Sequence, residues 1–350
     1  MSKRLVVIVC CIAMLASILV GCAKETDVAP DSAAPAAGDA DTPAPADADT
    51  PSVESYPKPN LDITEVFGPG PYGEAPAQLS DLEITDEEAQ QLKDGDFEVA
   101  FVYHMLTNEV NQIKLAAAKS ILEQYGVNVV CESNGEGITE KIVSNMETAI
   151  ALKPDVIITM PFDPDATAPV CRKALDAGIK LVFMESVCTG FEPGKDYVTM
   201  CSSDSYGNGK FAAEYMAYLI GPGGQCAMAW QDQNLFCVNE RDRAFRETMA
   251  NEFPEIEIVF EAGYTDHLKA GPIGDAIFAK YPDIAALYAT WTGPAEQILA
   301  AGEAYGRGED LIITSVDLDD NAARIIAEDG PFKAIGAPRS YETGLCEGYA

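Results

Sequence analysis

The residues best able to do chemistry are few and poorly arranged for catalysis. Of the two histidines, His104 and His267 lie far apart with no HExxH or close pairing, so no zinc-hydrolase pattern holds them together. No GxSxG elbow and no GxxxxGK[ST] phosphate loop occurs. Gly221-Pro222-Gly223-Gly224 reads as a turn between helix and strand. The 56 acidic residues form no distinctive pair and read as solvated surface, so the chain is expected not to be an enzyme and to carry no cofactor or metal. The cysteines beyond the N-terminal region are Cys131, Cys171, Cys188, Cys201, Cys226, Cys237 and Cys346. That set is odd and scattered and has no CxxC, so it is neither a disulfide framework nor a zinc site, and free cysteines of this kind pack as small hydrophobes. What remains suits the holding of a polar molecule. Trp230 and Trp291 each end an apolar run, and Trp230 leads into Gln231-Asp232-Gln233-Asn234. His104 ends another run and opens a polar loop through Asn108 and Glu109. An indole face covers the apolar side of a hydroxylated ring while its N–H still donates.

These positions need elements to hold them at strand ends. Apolar runs at Phe97–Tyr103, Val127–Cys131, Val156–Thr159, Lys180–Met184 and Tyr197–Met200 predict five strands. A second series is predicted at Gln225–Trp230, Ile256–Glu261, Ala285–Ala289, Leu311–Ser315 and Lys333–Gly336. Amphipathic stretches at Asn111–Tyr125, Thr139–Ala151, Asp165–Ala177, Gly207–Ile220, Asn239–Glu252, Ala270–Lys280, Pro294–Tyr305 and Asp320–Glu328 separate them as helices. Strands apolar throughout and alternating with helices predict parallel sheets covered on both faces. Ten strands split by the polar break Ser202–Gly207 predict an α/β protein of two doubly wound parallel-sheet lobes joined by a hinge. Open α/β sheets take ligands at the carboxyl ends of their strands, and two facing lobes make a cleft there.

The N-terminal region predicts location. Lys3 and Arg4 precede the apolar run Leu5–Val20, too short and abruptly ended to span a bilayer, and the pattern is that of a signal peptide over residues 1–21. The run closes on Leu19-Val20-Gly21-Cys22, which resembles the bacterial lipobox and makes Cys22 the expected lipid-attachment site, anchoring the chain on the extracytoplasmic face of a membrane, at the cell surface or in the periplasm. Residues 22–60, rich in Ala, Asp, Pro and Thr, cannot bury a core and read as an acidic disordered tether. Residues 61–95 read as a lead-in in which Thr85-Asp86-Glu87-Glu88 caps a short helix. The formal net charge of −33 repels nucleic acid and excludes a nucleic-acid role.

Several segments, taken in order, resemble the type I periplasmic sugar-binding proteins of the ribose-binding kind. These are LKPDVIITMPFDPDATAPVCRKALDAGIKLVFMES, VTMCSSDSYGNGKFAAEYMAYLI, ERDRAFRETM and YPDIAALYATWTGPAEQILAAGEAYGRGEDLIITSVD, and the likeness spans about residues 96–350. The resemblance implies a hinged, two-lobed solute-binding subunit of an ABC-type importer, a sugar in the interlobe cleft, permease and ATPase partners, and a monomer. It implies a first lobe of 96–202 plus 339–350 and a second of 203–338. Arg241 falls where the family has its cleft arginine, with Ala244 in place of the usual glycine before Phe245. Asp317 follows the strand IITSV at the position of a binding aspartate. Glu185 stands where the family has aspartate, and Ser186 replaces the arginine that commonly follows. The His104–Val110 loop lacks the family's aromatic pair. The family continues beyond the helix starting near Tyr341, so the chain is expected to be truncated at Ala350. A receptor feeding a sensor, or an importer subunit for a nucleoside or other non-sugar ligand, would fit the same pattern.

Overall fold

The computed structural model describes residues 55–60 and 65–350, so the signal peptide, Cys22 and most of the expected tether lie outside the described residues. Helix α1 (Asp86–Asp94) opens with the expected capping box, in which Thr85 Oγ1 accepts from the Glu88 amide and Glu88 reaches back to the Thr85 N–H. The first sheet then builds from β1 (Glu98–Tyr103), α2 (Glu109–Gln124), β2 (Asn128–Asn134), α3 (Thr139–Leu152), β3 (Val156–Thr159), α4 (Pro164–Asp176), β4 (Lys180–Met184) and β5 (Met200–Cys201). The second builds from α5 (Ser205–Ile220), β6 (Gln225–Gln231), α6 (Phe236–Glu252), β7 (Glu257–Tyr264), α7 (Gly271–Lys280), β8 (Ala286–Ala289), α8 (Thr292–Ala304), β9 (Ile312–Val316), α9 (Asp320–Ala327) and β10 (Phe332–Gly336), before α10 (Ser340–Tyr349). The strand orders are β2-β1-β3-β4-β5 and β10-β9-β8-β6-β7, and every ladder is parallel. The two-lobed α/β architecture expected from the strand–helix alternation is the one observed.

The apolar strands are covered on both sides. On the first sheet, Ile142 and Met146 of α3 and Val170 and Cys171 of α4 pack on Ala100, Val102, Leu181 and Phe183. On its other face, Ala118 and Leu122 of α2 and Cys346 of α10 lie against Val99, Phe101, Ile158 and Val182. On the second sheet, Ile277, Phe278, Ile298 and Ala322 cover one face, and Ala213, Met216, Phe245 and Met249 the other. All seven described cysteines are free thiols and five are buried, as small core hydrophobes are.

Three expected strands differ by two residues or more in length, among them β7, which runs on past Glu261 to Tyr264. The edge strand β2 runs three residues further, to Asn134; its polar end Glu132-Ser133-Asn134 is tolerated because an edge position stays partly exposed. Strand β5 shrinks to Met200–Cys201. The chain before it is drawn into a loop in which Asp196 takes the Glu192 amide at 2.9 Å and the Arg172 guanidinium, so Tyr197 cannot extend along β4.

The chain passes between the sheets at residues 202–204, leading into α5 against the second sheet, and at 337–339, leading into α10 against α2. Both crossings rely on close helix contacts. A Cβ on Gly209 of α5 would lie 2.1 Å from the Arg241 carbonyl of α6, and one on Gly344 of α10 would lie 2.2 Å from the Lys114 carbonyl of α2. No helix among the described residues is long and apolar enough to cross a membrane.

Candidate functional site

At the carboxyl end of β4, Glu185 has φ +55°, a left-handed conformation costing about 1–3 kcal/mol for a residue with a side chain. The turn sends its carboxylate into the lobe interior. There it forms an ion pair with Lys114 of α2 and accepts from Ser202 Oγ at 2.7 Å. Both ionic side chains are buried. Burial pushes the Glu185 carboxyl up, but the Lys114 ammonium and the Ser202 hydroxyl outweigh it and hold it below the ordinary range. Glu347 of α10 lies on the same side of the lobe, fully buried, with Tyr103 Oη donating to it at 2.7 Å.

Burial pushes Glu347 up to about 7 from an ordinary 4.5. An acid with a raised folded pKa holds its proton more tightly when folded. This group therefore favours folding below 4.5, and the advantage is lost as pH rises through about 7. Glu347→Gln removes the dependence. Between pH 5 and 8 the melting temperature of the wild type should fall relative to the variant, and thermal unfolding curves that stay parallel across that range would contradict the assignment.

The second lobe mirrors this arrangement. Asp317, at the carboxyl end of β9, also has positive φ, +64°. Arg241, in the second turn of α6, grips it with both guanidinium ends, Nη1 and Nη2 each 3.0 Å from a carboxylate oxygen. Such a fork is planar and directional. Its Nε is buried without a hydrogen-bond partner among the described residues. The neighbouring Asp242, buried, accepts from Thr290 Oγ1 at 2.9 Å and from the Gln231 amide at 3.3 Å, and burial pushes its carboxyl up to about 7. Gln231 in turn accepts from Trp291 Nε1 at 2.9 Å, and the His267 ring leans on that indole with centroids 4.7 Å apart. A chain of hydrogen bonds thus runs from Asp242, the residue after Arg241, through Gln231 to the tryptophan.

The two halves face each other. The start of α6, through Leu235, Cys237 and Val238, is buried in the same cluster as Phe101, Tyr103, Val182 and Met184 of the first sheet. Arg241 acts on Glu185 and Asp317 acts on Lys114 across the gap, so the four charges alternate in sign. At the rim, Glu109 Oε2 accepts the Asp320 amide at 2.9 Å, linking the start of α2 to the start of α9. His104 stacks on Phe162 with centroids 5.5 Å apart. Burial and the nearby Lys114 push its imidazole down to about 3, so the ring is neutral.

The residues expected from the sequence therefore part into groups. Arg241 and Asp317 are paired and act electrostatically on Glu185 across the gap, Trp291 joins Asp242 through Gln231, and His104 and Glu109 lie on the first-lobe side. Asn108 caps α2, its Oδ1 accepting the Asn111 amide at 2.9 Å. Asp232 is exposed, and its backbone amide extends the β6–β7 ladder to the Tyr264 carbonyl at 2.8 Å. Trp230 turns to the α6 face of the sheet, with the Arg246 guanidinium 5.4 Å over its ring and Asn239 and Arg243 beside it. Alternation along β6 explains this: Gln231 points to the Trp291 side, so Trp230 points away. Lys114, Ser202, Phe162, Asp242 and Thr290 escaped sequence reasoning. Phe162 had a signal, since it follows the third strand at its carboxyl end.

A family model described as periplasmic binding protein domain matches residues 89–344. A curated relative, the D-ribose/D-allose-binding protein of Pseudomonas aeruginosa, is 24% identical over 240 residues, spanning 66% of this chain and 74% of the relative. Among solved structures, an ABC transporter solute binding protein from Agrobacterium vitis, bound with alpha-D-tagatopyranose, aligns with a TM-score of 0.64 at 19% identity, over 72% of this chain and 87% of that one. A 5-methylthioribose transporter solute binding protein from Thermotoga lettingae aligns with a TM-score of 0.60 at 20% identity, over 72% and 77%. At these identities the structural likeness is one of fold.

Proposed function

The chain belongs to the periplasmic binding protein domain family, and from that premise we propose that it is the extracytoplasmic solute-binding subunit of an ABC-type importer, closing on a small sugar. The observation that carries the reading is the set of two charge pairs, Lys114–Glu185 and Arg241–Asp317, whose carboxylates stand at the carboxyl ends of β4 and β9 in the two lobes. Its charges cancel in pairs, so a neutral polyol is held without an uncompensated charge. Its carboxylates accept sugar hydroxyls and its cations donate to them. Trp291 and the His104–Phe162 stack supply apolar ring faces. Neither histidine has a nucleophile to activate, so the ligand is bound and released unchanged.

Thermal unfolding of the soluble part against D-ribose, D-allose, D-tagatose, arabinose, nucleosides and amino acids tests this. A sugar should raise the melting temperature in proportion to the logarithm of its concentration above Kd and be recovered intact. A response to amino acids or nucleosides alone, or recovery of a converted product, overturns it.

The reading includes a lipid anchor at Cys22 and a monomeric working form. Cys22→Ala should release the protein from the membrane fraction or leave its precursor unprocessed. A variant that stays in the membrane fraction as wild type does would remove the anchor from the proposal.

A further inference from the structure

The chain ahead of the family-matched region is not idle in the structure. The amides of Phe67 and Gly68 both donate to the Asp204 carboxylate, at 2.7 and 3.1 Å. Asp204 is the last residue of the first crossing, and the same carboxylate caps α5 by accepting the Gly207 amide at 2.8 Å. Gly68 sits so close that a Cβ there would be 3.0 Å from both Asp204 Oδ1 and Tyr206 Cβ. The chain then makes a turn, closed by Gly70 N–H to the Glu74 carbonyl at 2.8 Å and Tyr72 N–H to Glu74 Oε2 at 2.8 Å. That turn presents Tyr72, whose hydroxyl donates to the Phe191 carbonyl of the first lobe at 2.6 Å. The 3-10 turn Leu79–Asp81 follows against α10. Upstream, Tyr56 lies on the second lobe, edge-on to Phe253 at 4.8 Å and with its hydroxyl 3.3 Å from Glu255.

We infer that residues 65–82 form a strap between the lobes, a third connection beside the crossings at 202–204 and 337–339 that sets how readily the cleft opens. The inference rests on the closing, solute-binding reading of the site. Its physical basis is that one carboxylate, Asp204, holds three amides from two segments at the pivot. Rotation of α5 away from the first lobe must carry the strap with it or break those bonds and the Tyr72–Phe191 bond. Two such contacts hold the strap at points that move relative to each other on opening, so they restrict the swing.

Amide hydrogen exchange on the full chain without any sugar tests the strap independently of ligand identity. Phe67→Pro removes one donor to Asp204, and Tyr72→Phe removes the hydroxyl on the first lobe without altering the ring. In both variants, amides of the closed face at 185–186, 203–208 and 237–241 should exchange about threefold faster or more, while the sheet cores at 100–102 and 227–229 keep their protection. Faster exchange confined to residues 65–82, or none in the folded Tyr72→Phe variant, overturns the strap. A wild type that answers to no sugar in the thermal screen would instead count against the solute reading and leave these exchange rates to decide the strap on their own.

Discussion

Lys114→Met is expected to cost about 3–5 kcal/mol of folding stability near neutral pH, the range seen when one partner of a buried ion pair is removed. Lys114 is 3% exposed and Glu185 6%, so neither is rehydrated when the other goes. The methionine fills the aliphatic space of the lysine stem, so packing loss is small and the effect is electrostatic. Glu185 would keep the Ser202 hydroxyl at 2.7 Å and the more distant pull of Arg241, with the Glu347 carboxyl buried close by and no longer opposed by Lys114. The unpaired carboxylate can relieve itself by taking a proton, so the deficit should shrink as pH falls. Removing the second charge as well, in Lys114→Met with Glu185→Gln, should recover part of the loss, because a vacated pair is less costly than a broken one. Urea unfolding measures this as a lower midpoint with little change in slope. A single-variant loss below about 1 kcal/mol at pH 7.5 would mean the pair is more hydrated than its burial implies.

Arg241→Ala and Asp317→Asn should each weaken sugar binding tenfold to a hundredfold, corresponding to about 1.5–3 kcal/mol for a hydrogen bond to a charged group. The two act as one unit, since the guanidinium fork orients the carboxylate and the carboxylate holds the fork, with both contacts at 3.0 Å. The double variant should therefore lose much less than the sum of the singles. Trp230→Ala supplies the contrast. Its indole lies on the α6 face under Arg246, so affinity should stay within about twofold of wild type, whereas Trp291→Ala should weaken binding with the central group. Calorimetry with the sugar found in the thermal screen decides the matter. Near wild-type affinity for both Arg241→Ala and Asp317→Asn would place the site elsewhere.

The ten strands and the helices between them were legible because runs such as Val156-Ile157-Ile158 and Leu181-Val182-Phe183-Met184 are apolar on every residue, a pattern a strand shows when helices cover both faces of its sheet. The cap at Thr85 and the polar break at 202–207 marked where an element starts and where the chain changes sheet, whereas Asn108, expected beside the ligand, proved to cap α2. Trp230 and Trp291 looked alike in one dimension, since both end apolar runs. They differ because Trp230 lies inside β6, where side chains alternate, while Trp291 lies beyond the end of β8 in the turn to α8.

Local pattern thus determined the class of each element, their number and order, while an ordered resemblance pointed to Glu185, Arg241 and Asp317. These are properties of neighbours within a few residues, which hydrophobic period and turn chemistry encode directly. Packing between distant segments decided the rest. Lys114 reads in sequence as one more solvated lysine of an amphipathic helix, yet α10 packs closely on α2 at Gly344 and the lysine side chain is buried against Glu185. The carboxylates turned inward at Glu185 and Asp317 depend likewise on partners 71 and 76 positions away, and the seat of residues 67–72 on Asp204 and Phe191 depends on partners more than a hundred positions away. No local period carries that information, because burial of a charge and the partner that makes it tolerable are set together only when the helices dock.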